Sequence, residues 1–227
     1  MNFIDFTDGP EKMRIKICGL TSPEMAEACA KSGADAIGVV FYPKSPRHVS
    51  VADASKIARA VKGRAGVIGV FVNEPFEIVM ETVHRVELDG VQLHGQETPE
   101  QVGRLRREGV FVIKAVFANA EPDLSKASLY EPSAFLVEAG GGKLPGGNAE
   151  KWSWQAASGL TTRRPIILAG GLSPENIGTA MQAANPRAVD VSSGVESAPG
   201  VKDLGRVTQF ISAVRARDAR RHNRRKL

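Results

Sequence analysis

The stretch "RIKICGLTSPEMAEACAKSGADAIGVVF" (residues 14–41) contains one complete strand, helix and strand repeat. Its two runs rich in apolar and β-branched residues, 14–18 and 36–41, are interpreted as strands buried on both faces, as in a parallel sheet. Between them, "TSPE" (21–24) predicts a helix start. The Ser or Thr caps free amides, Pro takes the first helical position, and Glu lies at the positive end of the helix dipole. This stretch therefore predicts a βαβ unit.

The same pattern recurs along the chain. Helix starts of the same kind are found at "ETPE" (97–100) and "LSPE" (172–175), and we expect a helix after each predicted strand. The eight predicted strands are 14–18, 36–41, 66–72, 88–93, 110–116, 134–138, 165–169 and 188–192.

Eight βα units within residues 14–217 match the size of a (β/α)₈ TIM barrel. No linker rich in Pro, Gly or Ser divides the chain, so we expect a single domain. A doubly wound open sheet is the alternative. It fits less well, because no G-x-G-x-x-G follows the first strand and eight units exceed its usual number.

The charge is concentrated at one end of the 227-residue chain, whose net charge is +5. In "RARDARRHNRRKL" (215–227), seven Arg or Lys residues stand against one Asp, so the rest of the chain is close to neutral. We expect an N-terminal extension (1–12), the barrel (13–214) and a basic tail (215–227) that is solvated and frayed. The alternative for the tail is an arm that binds nucleic-acid phosphates. No interleaved aromatic residues support that alternative.

Composition also restricts the compartment and the partners. No apolar run reaches the roughly 20 residues of a membrane span, and the N-terminus lacks the order of a signal peptide, so we expect a cytoplasmic protein without a membrane partner. Two cysteines, Cys18 and Cys29, are too few for a disulfide framework. We expect both to be free thiols, and we expect no metal site.

Two glycine-rich stretches follow the seventh and eighth predicted strands. "LAGGLSPEN" (168–176) contains Gly170 and Gly171, and "VDVSSGVE" (189–196) contains Ser192, Ser193 and Gly194. Barrels commonly bind phosphate at these two positions with backbone amides, which glycines expose and serine hydroxyls supplement. The pair therefore predicts a phosphate site. Arg47, after the second strand, is a candidate partner for a carboxylate at the other end of the substrate.

Six motifs, in order, resemble the phosphoribosylanthranilate isomerase family from about residue 14 to residue 214. They are "KICGLTSPE" (16–24), "GVVFYPKSPRHVS" (38–50), "IGVFVNEP" (68–75), "DGVQLHGQE" (89–97), "LAGGLSPEN" and "VDVSSGVESAPGVKD" (189–203). The resemblance implies a single barrel that converts N-(5-phosphoribosyl)anthranilate to 1-(2-carboxyphenylamino)-1-deoxyribulose 5-phosphate in tryptophan biosynthesis. It implies an Amadori rearrangement with neither metal nor organic cofactor.

The resemblance also implies roles for individual residues. Cys18, in the KICG motif, would be the general base, and Arg47 would hold the anthranilate carboxylate. Gln92 and His94 would line the pocket, and the two glycine stretches would bind the ribose phosphate. Asp190 would lie near the ribose hydroxyls or near the base. Because a thiol with a pKa near ~8.5 is only slightly ionised at neutral pH, Cys18 would need a helix N-terminus or a cation to stabilise its thiolate.

The sixth strand departs from the family pattern. The family has L-L-D there, with Asp as the general acid, whereas this chain has "LVE" and places Glu138 at that position. The loop that follows is also altered, with Asn148 and Ala149 in place of Thr or Ser and Gly. We expect Glu138 to be the working acid, although the change is also consistent with a lost or shifted activity.

Two other functions remain open from the sequence. The first is an isomerisation of a related phosphoribosyl compound, such as the aminoimidazole ribotide of the histidine pathway. The second is a non-catalytic phosphoribosyl-ligand sensor or scaffold. In the second case the basic tail would reach a nucleic acid or another acidic partner. Otherwise we expect a small phosphoribosyl compound as ligand, no nucleic acid, and a monomer or homodimer.

Overall fold

The structure is a computed structural model that describes residues 12–140, 152–160 and 162–225, with side chains described to Asp218. Its centre is a closed barrel of eight parallel strands in which β1 pairs with both β2 and β8. The strands are β1 Arg14–Cys18, β2 Ala36–Val40, β3 Gly66–Phe71, β4 Gly90–Leu93, β5 Phe111–Phe117, β6 Ala134–Glu138, β7 Ile166–Leu168 and β8 Ala188–Val191. The predicted TIM barrel is therefore confirmed.

All eight predicted strands are present, and those at 14–18 and 134–138 have the predicted bounds. The others differ from the prediction by one or two residues at an end. The strands are buried almost throughout, as continuous apolar runs require.

Helices surround the barrel: α1 Pro23–Lys31, α2 Val51–Val61, α3 Phe76–Val86, α4 Pro99–Arg107, α5 Gln155–Ser158, α6 Ile177–Ala184 and α7 Leu204–Arg225. Two of the three predicted helix starts are confirmed. The Ser22 hydroxyl accepts from the backbone N–H of Met25, and the Thr98 hydroxyl accepts from that of Gln101. In each case the following Pro begins the helix.

The third predicted helix start, at "LSPE", is wrong. Residues 174–176 form a turn, and α6 begins only at Ile177, after Asn176. The side chain of Asn176 accepts from the Ser173 backbone N–H at 2.8 Å and donates to the Gly171 carbonyl at 2.8 Å. The second bond ties the segment to the glycine loop, and the Ile177 N–H donates to the Ser173 carbonyl at 3.1 Å, so the turn leads directly into α6.

A regular helix does not follow every strand. After β5 the structure has a 3₁₀ helix, Leu124–Leu129, and after β6 the described residues form only the four-residue α5. The predictions about Asn148 and Ala149 fall in 141–151, outside the described residues. After β8 the chain forms a 3₁₀ turn, Ser193–Val195, and a small hairpin, β9 Glu196–Ala198 with β10 Val201–Lys202, neither of which was predicted.

The last helix crosses the predicted boundary between the barrel and the basic tail. The carboxylate of Asp218 accepts from the Met13 backbone N–H at 2.8 Å. Arg215 donates to the Met13 carbonyl and pairs with Asp35 at 2.9 Å. Arg215 and Asp218 are therefore packed against the start of β1 rather than solvated. Our division into extension, barrel and tail remains a prediction.

The apolar core has two layers. One lies between the strands and the helices and includes Ile15, Ile17, Val189 and Phe210. The other fills the barrel and includes Ile68, Ile113, Leu136 and Ile167. In the described part of the chain, no helix has both the length and the apolar character needed to cross a membrane.

Candidate active site

The site lies inside the barrel, at the carboxyl ends of the strands. Because successive strand residues point to opposite faces, Ile15 and Ile17 face the helices, while Lys16 and Cys18 face the barrel interior. The same alternation turns Gln92 of β4, Glu138 of β6 and Asp190 of β8 inward. All five of these inward polar or thiol side chains are buried. This end of a barrel is where TIM-barrel enzymes place their active sites.

Cys18 is the last residue of β1 and is 8% exposed. Its register partner on β2 is Gly38, and a Cβ built on that glycine would lie 2.7 Å from the Cys18 sulfur and 3.0 Å from Lys16 Nζ. The glycine therefore makes room for both groups. Burial raises the pKa of the Cys18 thiol, and the charge of Lys16 opposes this effect.

Lys16 forms an ion pair with Asp190 inside the barrel. Its Nζ lies 3.1 and 3.0 Å from the two carboxylate oxygens, and the side chains are 5% and 7% exposed. Burial works against the charge of Lys16, but Asp190 and Cys18 together raise its pKa. Burial also raises the pKa of Asp190, against the effect of Lys16. The sequence predictions did not include Lys16. The signal was a charged residue two positions before Cys18, and therefore on the same face of the strand.

Glu138 is held by a chain of hydrogen bonds that crosses from β6 to β4. His94 Nε2 lies 3.2 Å from Glu138 Oε1, and Gln92 Nε2 lies 2.8 Å from His94 Nδ1. The edge of Phe117 packs against the imidazole at 5.6 Å between ring centres. Gln92 Oε1 is the one buried side-chain N or O atom among the described residues without a hydrogen-bond partner.

Cys18 and Glu138 belong to one site. Asp190 interacts electrostatically with Cys18 on one side, and with His94 and Glu138 on the other. Six residues are predicted to lie around the substrate, and the structure brings five of them together: Cys18, Gln92, His94, Glu138 and Asp190. The surroundings of the sixth, Arg47, differ from the prediction.

Arg47 is already paired with a carboxylate of the protein. Its Nε and Nη2 donate to the two oxygens of Glu196 at 2.8 and 2.7 Å, and both side chains are buried. Lys202 lies 2.6 Å from the same carboxylate and donates to the carbonyl and hydroxyl oxygens of Ser192. The Ser192 hydroxyl in turn donates to the Cys18 carbonyl at 3.0 Å. The sequence analysis missed Glu196 and Lys202, which join this arginine to the strand that carries Cys18.

The two glycine loops lie against each other. Gly170 and Gly171 have φ of 79° and 67°, a left-handed conformation that favours glycine. A Cβ on Gly194 would lie 1.8 Å from the Leu172 carbonyl oxygen, so the loops approach too closely for any side chain at that position. Arg206 donates to the Gly194 carbonyl at 3.2 and 3.1 Å. The loops after β7 and β8 therefore meet at Leu172 and Gly194, and the phosphate site predicted for them stays a prediction.

Other reactive side chains lie outside the candidate active site. Lys114 on β5 points toward the helices, where it pairs with Glu97 at 2.8 Å and both side chains are fully buried. Cys29 is buried on α1, and burial raises its pKa to about 11. Among residues 12–140, 152–160 and 162–225, no three His, Cys, Asp or Glu side chains are grouped to hold a metal ion.

Comparison with known proteins places this site in a family. Residues 15–213 match the family described as N-(5'phosphoribosyl)anthranilate (PRA) isomerase. A relative from Desulfatibacillum aliphaticivorans, named N-(5'-phosphoribosyl)anthranilate isomerase, is 50% identical over 199 residues, which cover 88% of this chain and 91% of the relative. A relative of the same name from Geobacter metallireducens is 43% identical, over 90% of this chain and 100% of its own length.

Solved structures agree with these relatives. The phosphoribosyl anthranilate isomerase of Thermotoga maritima is 39% identical, with a TM-score of 0.83 over 90% of this chain and 100% of that one. The enzyme of Thermus thermophilus is 35% identical, with a TM-score of 0.81 over 90% and 99%. Another structure, with a TM-score of 0.80, 39% identity and coverage of 90% and 100%, contains reduced 1-(o-carboxyphenylamino)-1-deoxyribulose 5-phosphate. This chain belongs to the N-(5'-phosphoribosyl)anthranilate isomerase family.

Proposed function

We infer that the chain isomerises N-(5'-phosphoribosyl)anthranilate to 1-(2-carboxyphenylamino)-1-deoxyribulose 5-phosphate in tryptophan biosynthesis, and we propose that Cys18 is its base and Glu138 its acid. One observation carries these roles. A thiol and a carboxyl group lie in one buried site at the carboxyl ends of β1 and β6, and both interact with Asp190. A second candidate function has no comparable support.

The reaction needs two proton transfers, and the two groups can perform both. Protonated Glu138 gives its proton to the ring oxygen of the ribosylamine, and the amine nitrogen pushes the ring open to an iminium ion. The Cys18 thiolate then takes the proton from the adjacent carbon, C2', which leaves an enolamine. Transfer of that proton from Cys18 to C1', and of the C2' hydroxyl proton to Glu138, forms the ketone and restores both residues. Each positioned transfer contributes typically about 10²–10⁴-fold.

The remaining side chains position this chemistry. Gln92 and His94 hold the Glu138 carboxyl in place through bonds of 2.8 and 3.2 Å. The Glu196 carboxylate accepts from Nε and Nη2 of Arg47. The guanidinium of Arg47 would therefore meet the anthranilate carboxylate through Nη1.

Ligand contacts at the other end of the substrate come from the glycine loops. Gly170 and Gly171 after β7, with Ser192, Ser193 and Gly194 after β8, would bind the phosphate through backbone amides and hydroxyls. Asp190, below these loops, would meet the ribose hydroxyls. We also propose that the protein works in the cytoplasm, as a monomer or homodimer. A structure with a TM-score of 0.78 is of monomers generated from the dimeric enzyme of Thermotoga maritima.

The test is a fluorescence assay of the purified full-length chain with freshly prepared phosphoribosylanthranilate. We expect turnover by the wild type and a loss of about 10²-fold or more in Cys18→Ser, because a hydroxyl is a far weaker acid than a thiol. Cys29→Ala is the matched control, since this thiol lies outside the site, and it should retain turnover. Full activity in Cys18→Ser would exclude Cys18 as the base.

A further inference from the structure

Lys16 is a buried cation whose position is fixed from two sides. A buried charge is costly unless it is paired, and both oxygens of Asp190 lie within 3.1 Å of Lys16 Nζ. The pairing follows from barrel closure, because Lys16 and Asp190 are register partners on the first and last strands. The ammonium group therefore cannot leave the barrel interior without breaking that pair.

The same ammonium group lies beside the sulfur of Cys18. The two residues share the inward face of β1, and their side chains meet over Gly38 of β2, which has no side chain to separate them. The charge of Lys16 lowers the pKa of the Cys18 thiol, against the effect of burial. Burial disfavours a thiolate at this site, so the cation counteracts the main obstacle to ionisation of the thiol.

We propose that Lys16 is a positioning residue that makes the Cys18 thiolate available for the isomerisation, while Asp190 anchors Lys16 and restrains its effect on the sulfur. This proposal rests on the proposed function, in which Cys18 is the base. The sulfur carries a negative charge before it takes the C2' proton and none afterwards. A neighbouring cation therefore stabilises the state that enters the proton transfer and limits the fraction of enzyme that is inactive as the thiol.

The charged groups around Cys18 come from three elements within the described residues. Lys16 lies on its own strand, Asp190 on β8, and Lys202 at the end of β10. Asp190 also faces His94 and Glu138 on the other side. The two nearest charges act in opposite directions, since Lys16 lowers the pKa of the thiol and Asp190 raises it. Removing the charge of Lys16 should therefore raise the pKa of the Cys18 thiol, and removing the charge of Asp190 should lower it. A merely structural ion pair would not produce these opposite shifts.

The experiment measures alkylation of Cys18 by iodoacetamide from about pH 6 to about pH 10, because only the thiolate reacts. All variants are made in a Cys29→Ala background, so that one thiol is present. We expect Lys16→Met to slow alkylation near pH 8 about tenfold and to move the alkylation curve to higher pH. Asp190→Asn should move the curve to lower pH. Lys16→Arg keeps the charge and should remain closer to the parent than Lys16→Met.

Isomerisation by the same variants supplies a second measurement. In Lys16→Met, kcat at neutral pH should fall about tenfold and recover as the pH rises, because hydroxide then ionises the thiol. A folding defect would not recover in this way, and circular dichroism checks the fold of each variant. Should Lys16→Met destroy the fold, a shift of the curve to lower pH in Asp190→Asn, with Lys16→Arg close to the parent, still supports the proposal, and an Asp190→Asn curve that is unchanged or moves to higher pH overturns it.

The outcomes separate this proposal from the proposed function. Shifts of opposite sign for Lys16→Met and Asp190→Asn support the role of Lys16. Unchanged alkylation curves, or shifts in the same direction, overturn it, even where the loss of activity in Cys18→Ser keeps Cys18 as the base. Conversely, full isomerase activity in Cys18→Ser would exclude Cys18 as the base, whatever the alkylation curves show.

Discussion

Replacing Glu138 by Asp tests whether the longer side chain is matched to this site. The substitution removes one methylene and withdraws the carboxyl group by about 1.5 Å. Glu138 Oε1 lies 3.2 Å from His94 Nε2, so the shortened side chain would lie beyond hydrogen-bonding distance. The backbone is held in place, because the Glu138 carbonyl accepts from the Ala118 N–H at 2.9 Å.

We expect Glu138→Asp to lower kcat/KM about 100-fold, the loss typical of a displacement of about 1 Å, which corresponds to about 2.7 kcal/mol. Glu138→Gln keeps the length but cannot donate the acid proton, and it should lose about 10²–10⁴-fold. The fluorescence assay measures both. Glu131→Asp is the matched control, because this glutamate is 88% exposed before the same strand and should retain wild-type activity. Wild-type or higher activity in Glu138→Asp would show that the site does not depend on the length of the Glu138 side chain.

Two further predictions concern stability. Burial alone would raise the pKa of Glu196, but Arg47 and Lys202 hold this pKa below its usual range. The carboxylate therefore contributes to the free energy of unfolding above the ordinary pKa near 4.5, and this contribution is lost as the pH falls through the lower pKa of the folded state. Urea unfolding at several acidic pH values should therefore show a shallower loss of stability in Glu196→Gln than in the wild type, and parallel curves would contradict this. Truncation after Asp218 should leave the free energy of unfolding nearly unchanged. Truncation after Val214 removes the bonds of Arg215 and Asp218 near the start of β1, so it should lower the free energy of unfolding by about 2–4 kcal/mol. Equal stability of the two truncations in urea would show that these bonds contribute nothing.

The strands could be predicted from the sequence because their signal is local. "RIKIC" and "AFLVE" are apolar runs whose burial on both faces follows from the fold class, and both have the predicted bounds. The start of α6 was predicted three residues too early, because residues 174–176 form a turn whose Asn176 side chain also donates to the Gly171 carbonyl, a bond to the preceding loop that helix propensity and proline position do not include.

Contacts between distant residues explain what the site predictions missed. Lys16 and Asp190 are 174 residues apart, and their pairing exists only because β8 closes on β1. Arg47 and Glu196 are 149 residues apart, so the carboxylate that binds this arginine could not be found from the loop in which the arginine lies. Residue types and motifs were enough to identify the candidate side chains. The ion pairs that these side chains form depend on closure of the barrel, so local sequence could not predict them.

The meeting of the first and last strands has a consequence for how folding can be monitored. A chain that has made seven strands holds Lys16 and Cys18 without Asp190, so Lys16 would lack its buried counter-charge and the phosphate loops would be incomplete. Catalytic turnover should therefore report completion of the ring rather than accumulation of secondary structure. A genetic selection for tryptophan-independent growth would consequently select for chains whose two ends have come together.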